Sequence, residues 1–216
     1  MSEIIIRSYE PRDREAVRQI CCDTADRGEP VENFFPDREL LADLVTRYYT
    51  DLAPHLSWVA ECDGQVVGYL TGCLDTEKQE RLTIWRIAPS AILCSIGRST
   101  LFRRQTWRFA RAGLKTLWLG RGCKIPPLKE YPAHFHVNLQ NGFRGQRIGQ
   151  RLVEKFFEQI SPTGASGIRA VTRGDNERTC RFNERLGFVE LGRKPLVVNK
   201  SDGYRVTELV IYGKRI

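Results

Sequence analysis

Between residues 133 and 140 two histidines and an asparagine alternate with apolar side chains. His134, His136 and Asn138 fall on one face of a predicted strand, and Phe135, Val137 and Leu139 on the other. Histidine is the side chain that titrates near neutrality without help, so this polar face offers a general base, His136 ahead of His134 because it is closer to the turn that follows. A structural role at the edge of the core, with both rings satisfied by neighbours, is the alternative. Asn138 can orient a water or a substrate but cannot serve as a base.

The turn runs Asn141-Gly142-Phe143-Arg144-Gly145-Gln146-Arg147-Ile148-Gly149, and a helix opens at its end. That helix carries Ile148, Leu152, Val153, Phe156 and Ile160 at steps of three and four, an apolar stripe. A helix start leaves its first N–H groups unpaired at the positive end of the dipole, so a glycine-rich turn placed there can hold a phosphate. Arg144 and Arg147 add charge. The turn lacks the Gly-Lys-Ser/Thr ending of nucleoside-triphosphate loops and the glycine spacing of the dinucleotide fingerprint.

Arg144-x-x-Arg147-x-Gly149 resembles the Arg/Gln-x-x-Gly-x-Gly/Ala signature of the GNAT superfamily of acyl-CoA-dependent N-acetyltransferases. A second segment agrees with it. After a short strand at 168–172, Asn176 to Phe188 is similar to the family's Asn-x-x-Ala-x-x-Phe-Tyr-x-x-x-Gly-Phe element, in the expected order and separation. The lead-in Glu130 to His136 also resembles a GNAT subgroup related to the acetyltransferase-like domain of O-GlcNAcase, some members of which lack activity.

The resemblance implies a GNAT fold of the α/β (α+β) class: a central, mixed, mostly antiparallel sheet of six to seven strands with helices on both faces. It implies acetyl-CoA as co-substrate and direct transfer to a primary amine, of a small molecule or a protein, in a ternary complex. The pantetheine arm would meet Val137, Leu139 and Gln140, and Asn176 would reach it. The pyrophosphate would meet Arg144, Gly145, Gln146, Arg147, Ile148, Gly149 and Gln150. Two departures stand out. Arg147 replaces the first motif glycine, which predicts an ordinary helical or extended backbone there. Asn183 replaces the tyrosine that protonates the leaving thiolate, and an amide has no proton to give; Cys180 and Tyr204 are the remaining donor candidates. These departures favour a second reading, a catalytically weak or inactive GNAT-like binding module whose basic insertion holds nucleic acid or a protein partner.

The elements that must position these residues read as follows. A first strand at 4–9 precedes a helix at 12–26 capped by Asp13, and Asp37 caps a second helix at 40–49. Two strands at 57–62 and 65–74 are joined by Asp63-Gly64, a strong hairpin signal. Two final strands at 188–193 and 204–212 flank a turn at 199–203. Residues 77–129 depart from this layout and form an insertion before the fourth strand within a single 1–216 domain. From Arg81 to Lys129 there is no Asp or Glu, while Arg81, Arg86, Arg98, Arg103, Arg104, Arg108, Arg111, Lys115, Arg121, Lys124 and Lys129 all fall there. Trp85, Phe102, Trp107, Phe109 and Trp118 are interleaved. A helix is predicted over 98–118 with a stripe of Leu101, Phe109 and Leu117, and the punctuation at Gly120, Gly122, Pro126 and Pro127 ends the segment. A solvated basic helix whose aromatics pack on the sheet is the plain reading of the insertion. An anionic-substrate surface, a nucleic-acid contact or a membrane-surface helix are sharper ones, although no nucleic-acid motif is present.

At 216 residues with 41% hydrophobic content, the chain suits one packed domain with an insertion. The charge of +8 favours anionic partners. Seven scattered cysteines without a Cys-x-x-Cys pair give neither a disulfide framework nor metal spacing, which suggests a reducing, cytoplasmic setting. No apolar run is long enough for a signal peptide or a membrane span. A homodimer stays open.

Overall fold

The computed structural model describes residues 3–123, 127–200 and 203–216. Lys124, Pro126 and the middle of the 199–203 turn, named above, lie outside the described residues. Among the described residues seven strands form one sheet: β1 (Ile4–Ser8), β2 (Ser57–Cys62), β3 (Gln65–Cys73), β4 (Ala133–Leu139), β5 (Gly167–Arg173), β6 (Val189–Lys200) and β7 (Gly203–Arg215). Their spatial order is β1-β2-β3-β4-β5-β7-β6, and every neighbouring pair is antiparallel except β4 and β5. Asp63 and Gly64 both have positive φ, at 50° and 77°, the two-residue turn whose twist matches a hairpin. β6 and β7 extend well past the predicted strands, with their register running from Val189↔Gly213 to Lys200↔Gly203.

Helices cover both faces. On one side α6 (Ile148–Ile160) lays Ile148, Leu152, Val153, Phe156 and Ile160 against Phe135, Leu70, Ile168 and Phe188. Each such burial contributes about 1.5–3 kcal/mol, so this layer fixes where β4 and the following turn stand. Gly72 touches the Phe156 ring so closely that a Cβ there would collide with it. On the opposite side α1 (Arg14–Asp23) sets Val17, Ile20 and Cys21 on Val59 and Tyr69. α2 (Arg38–Arg47) starts where Asp37 accepts the Leu40 N–H at 2.9 Å.

The insertion is more broken than its pattern predicts. It consists of α3 (Thr76–Leu82), a wide turn at Thr83–Ile87, α4 (Ala88–Gly97) and α5 (Arg104–Leu119). The predicted helix over 98–118 therefore splits, because Ser99 is left-handed at φ 59° and a short 3-10 turn, Thr100–Phe102, follows. Buried Asp37 holds this break as well as capping α2: Thr100 Oγ1 and Arg98 Nη2 both donate to it. Burial pushes the Asp37 pKa up, but these donors and the Leu40 amide outweigh it and hold the carboxyl below its usual range. α5 is pinned to β6 where the Val197 N–H donates to Thr116 Oγ1 at 2.8 Å. Phe109 packs on Phe35 at 4.7 Å and Leu101 joins the same cluster, but Leu117 is 71% exposed, which corrects its place in the predicted inner stripe. Nor do the aromatics of the insertion all pack inward, since Trp85, Trp107 and Trp118 stand in solvent.

Candidate functional site

β4 and β5 run parallel and stay paired only at Ala133↔Ile168 and His134↔Arg169. Beyond that point they diverge, while β3 keeps its pairing with β4 through Gly68↔Leu139. A V-shaped gap opens between β4 and β5. Backbone groups alternate sides along a strand, and the Gln140 N–H bonds Val67 O on the β3 side at 3.0 Å. The amides of Val137 and Leu139 therefore face the gap. The amide of Gln140 does not, which corrects its expected role.

At the wide end of the gap the chain turns into α6. Gly145 has φ 83° and Arg147 φ 59°. The expectation of an ordinary backbone at Arg147 is thus wrong: it holds the left-handed conformation that favours glycine, at a strain of about 1–2 kcal/mol. The consequence is a helix head without a side-chain cap. Among the described residues, no main-chain carbonyl accepts from the N–H groups of residues 145–150, which line up at the positive end of α6. Arg144 differs from Arg147 in being tied down. Its Nε donates to Leu139 O at 3.1 Å and its guanidinium lies against Gly28, where there is no room for a Cβ. Burial, with Arg178 nearby, lowers its pKa from the ordinary value. At Gly149 a Cβ would meet Phe182 and Leu139 only at ordinary distances of 3.6 and 3.7 Å, so alanine fits there too.

The polar face of β4 looks onto the end of α2 and the wide turn Tyr48–Leu52 that follows. His134 is fastened at both nitrogens. Thr76 Oγ1 donates its one proton to Pro132 O at 2.7 Å, so its 2.7 Å contact with His134 Nδ1 must be received from Nδ1–H. The other nitrogen, Nε2, then accepts from the Tyr49 hydroxyl at 2.5 Å. Burial pushes the Tyr49 ionisation well above its ordinary value, in keeping with a hydroxyl that donates. Asn138 is fastened too, donating from Nδ2 to Tyr69 Oη at 2.9 Å. His136 alone is left open. Its ring packs edge-on to Tyr49 and His134, and among the described residues no polar partner meets either ring nitrogen. Its side chain is exposed to solvent, although many protein atoms surround it.

Neither histidine keeps the neutral-range titration expected of it. Burial, with the charges of His136 and Arg169 nearby, pulls His134 down to about 3, and burial pulls His136 down to about 4. At neutral pH both are uncharged and His136 presents a free lone pair. Tyr49, which fixes both rings, carried no signal in the sequence beyond its place near the end of a helix.

α7 (Glu177–Arg185) borders the gap on the β5 side. Asn176 caps it, its Oδ1 accepting from the Thr179 N–H at 3.3 Å, which leaves Nδ2 for a ligand. Asn183 is buried, and its carbonyl receives the Leu186 and Phe188 amides that close the helix. One turn earlier Cys180 points its thiol at Arg173 O, 3.8 Å away. Tyr204 sits elsewhere, at the far end of the β6–β7 hairpin with Lys115 over its ring at 4.4 Å, which removes it as a proton donor at the gap. A cavity of about 1130 Å³ lies between the α1–α2 loop, α5 and β6. Glu29, Phe34, Arg104, Phe109 and Asn199 are among its walls, and Asn199 Oδ1 is buried without a hydrogen-bond partner among the described residues.

No family model matches the chain. Solved structures match it along nearly its whole length. One is a protein called SsHAT, 24% identical, with 99% of this chain and 98% of that one covered at a TM-score of 0.72. Another is a GCN5-related N-acetyltransferase from Kribbella flavida, 15% identical, covering 99% and 98% at 0.60. A third is yncA from Salmonella typhimurium, solved with its cofactor acetyl-CoA, 15% identical, covering 98% and 93% at 0.59. The chain therefore has the fold of the GNAT N-acetyltransferases.

Proposed function

We propose that this protein is an acetyl-CoA-dependent N-acetyltransferase acting on a primary amine. The observation that carries the reading is the gap itself, with the Val137 and Leu139 amides turned into it and the unpaired donors of residues 145–150 at its wide end. These groups suit a ligand with an amide-bearing arm and a diphosphate. The Val137 and Leu139 backbones would hold the arm, Asn176 Nδ2 would reach it, and the helix head with Arg144 and Arg147 would hold the diphosphate. Bound acetyl-CoA supplies an activated acetyl thioester. The chain's own residues do the rest. The α1–α2 loop and α5, which wall the cavity beside β6, are the segments left to choose the acceptor. His136, uncharged and open, receives the proton that the acceptor nitrogen sheds on acylation. Tyr49 and His134 hold the His136 ring in place. Cys180 is the remaining candidate for returning a proton to the thiolate. The acceptor is a small-molecule amine or a protein amino group.

A second reading has one specific observation behind it. Asn183 is buried and has no proton to donate, which favours a module that binds the thioester and turns it over slowly or not at all. Thermal unfolding with acetyl-CoA, followed by thiol release across an amine panel, separates the two. At a hundred times the dissociation constant, ligand should stabilise the fold by ~2.7 kcal/mol. Replacing the base, His136→Gln, should lower turnover by about 10²–10⁴-fold with that stabilisation intact. Stabilisation without thiol release supports the binding module; no stabilisation at saturating acetyl-CoA sinks both.

A further inference from the structure

α5 packs one mixed face on the sheet and leaves a second, apolar row outside. Gln105, Phe109, Ala112 and Thr116, at steps of four, three and four, turn toward β6 and the α1–α2 loop. Trp107, Leu114 and Trp118 recur at the same spacing on the opposite side, where they are 61%, 67% and 67% exposed. A single tryptophan in solvent needs no explanation, but an ordered row of large apolar groups along a 16-residue helix marks a contact surface. Arg103 and Arg111 stand among these residues on the outer face. Arg98 pairs with Asp37 at the break before α5.

We infer that the outer face of α5 docks on a lipid bilayer surface carrying anionic headgroups. The charge pattern selects this occupant. No Asp or Glu occurs between Arg81 and Lys129, so a second copy meeting this face symmetrically would bring arginine against arginine. A nucleic acid would satisfy the cations but leave Leu114 and Leu117 against phosphates. A bilayer interface takes both sets. Indole and leucine side chains enter the headgroup–acyl boundary, while the long cationic side chains reach out to the phosphates. The inner face of α5 walls the cavity described above, so docking would set that cavity directly above the membrane.

The test is sedimentation of the full chain with vesicles of phosphatidylcholine alone and of phosphatidylcholine mixed with phosphatidylglycerol. Binding is expected only to the mixed vesicles, with a blue shift of tryptophan emission and release by salt. Arg103→Gln and Arg111→Gln should each weaken partitioning about fivefold. A Trp107→Ser, Trp118→Ser double variant should no longer sediment while its thermal unfolding is unchanged. Brominated lipid should quench the wild-type tryptophans, a readout that needs no variant. Absence of sedimentation at low salt, equal sedimentation of wild type and the double variant, or a wild-type dimer that the double variant dissolves without any vesicle binding would each overturn the inference. So would tight DNA binding that displaces the vesicles.

Discussion

His134 should make this fold acid-labile, and the arrangement around it says by how much. Its Nε2 receives the Tyr49 hydroxyl and its Nδ1–H is committed to Thr76, so a second ring proton would face a donor at 2.5 Å. Burial first, then the nearby charges of His136 and Arg169, bring the folded pKa to about 3, against 6.5 for the free side chain, so between those values the unfolded chain binds a proton that the folded one refuses. Stability from this source is complete above the unfolded value and is lost as pH falls through the window toward the folded one. The shift, taken whole, sets a ceiling of about 5 kcal/mol, and the slope approaches ~1.4 kcal/mol per pH unit for each proton. Urea unfolding of wild type and His134→Gln, measured from pH 7 down to about pH 4, reads this directly. Glutamine keeps an acceptor and a donor but does not titrate. It should cost about 1–2 kcal/mol at neutral pH through poorer hydrogen bonds and should flatten the acid slope by one proton. Equal slopes in the two proteins would refute the proposed tautomer and its network.

Two further outcomes follow from backbone geometry. Arg147→Gly should release the left-handed strain at the head of α6, a gain of about 1 kcal/mol or less after the entropy of glycine, seen as a small rise in Tm; its acetyl-CoA affinity should fall with the lost cation, and a lower Tm would show that the strain is absent. Gly72→Ala should destabilise by about 1–3 kcal/mol by pushing into the Phe156 ring, and most of that loss should vanish in a Phe156→Leu background. Additive losses in a double-mutant cycle would mean the two residues do not touch.

Elements with a local cause were legible before any coordinates. Asp37 and Asp63-Gly64 begin or join their elements as their chemistry requires, because capping and tight turns are decided within four residues. The alternation that put His134, His136 and Asn138 on one face and Phe135, Val137 and Leu139 on the other also held, since the pleat has a period of two. The break at Ser99 was not legible, because Asp37, far away in sequence, is what holds it.

The sequence by itself determined the order of elements, the anion-suited turn and the basic, acid-free insertion, all of which are properties of neighbours along the chain. Only the tertiary structure decided which polar groups were already spent. Val67 claims the Gln140 amide, Tyr49 and Thr76 claim His134, and Tyr69 claims Asn138, so His136 is left open by elimination across the sheet. It also decided that Arg147 keeps a glycine's backbone, since the packed stripe of α6 fixes where the turn must arrive whatever residue stands there. Burial and partnership depend on segments remote in sequence, and a strand read alone contains neither.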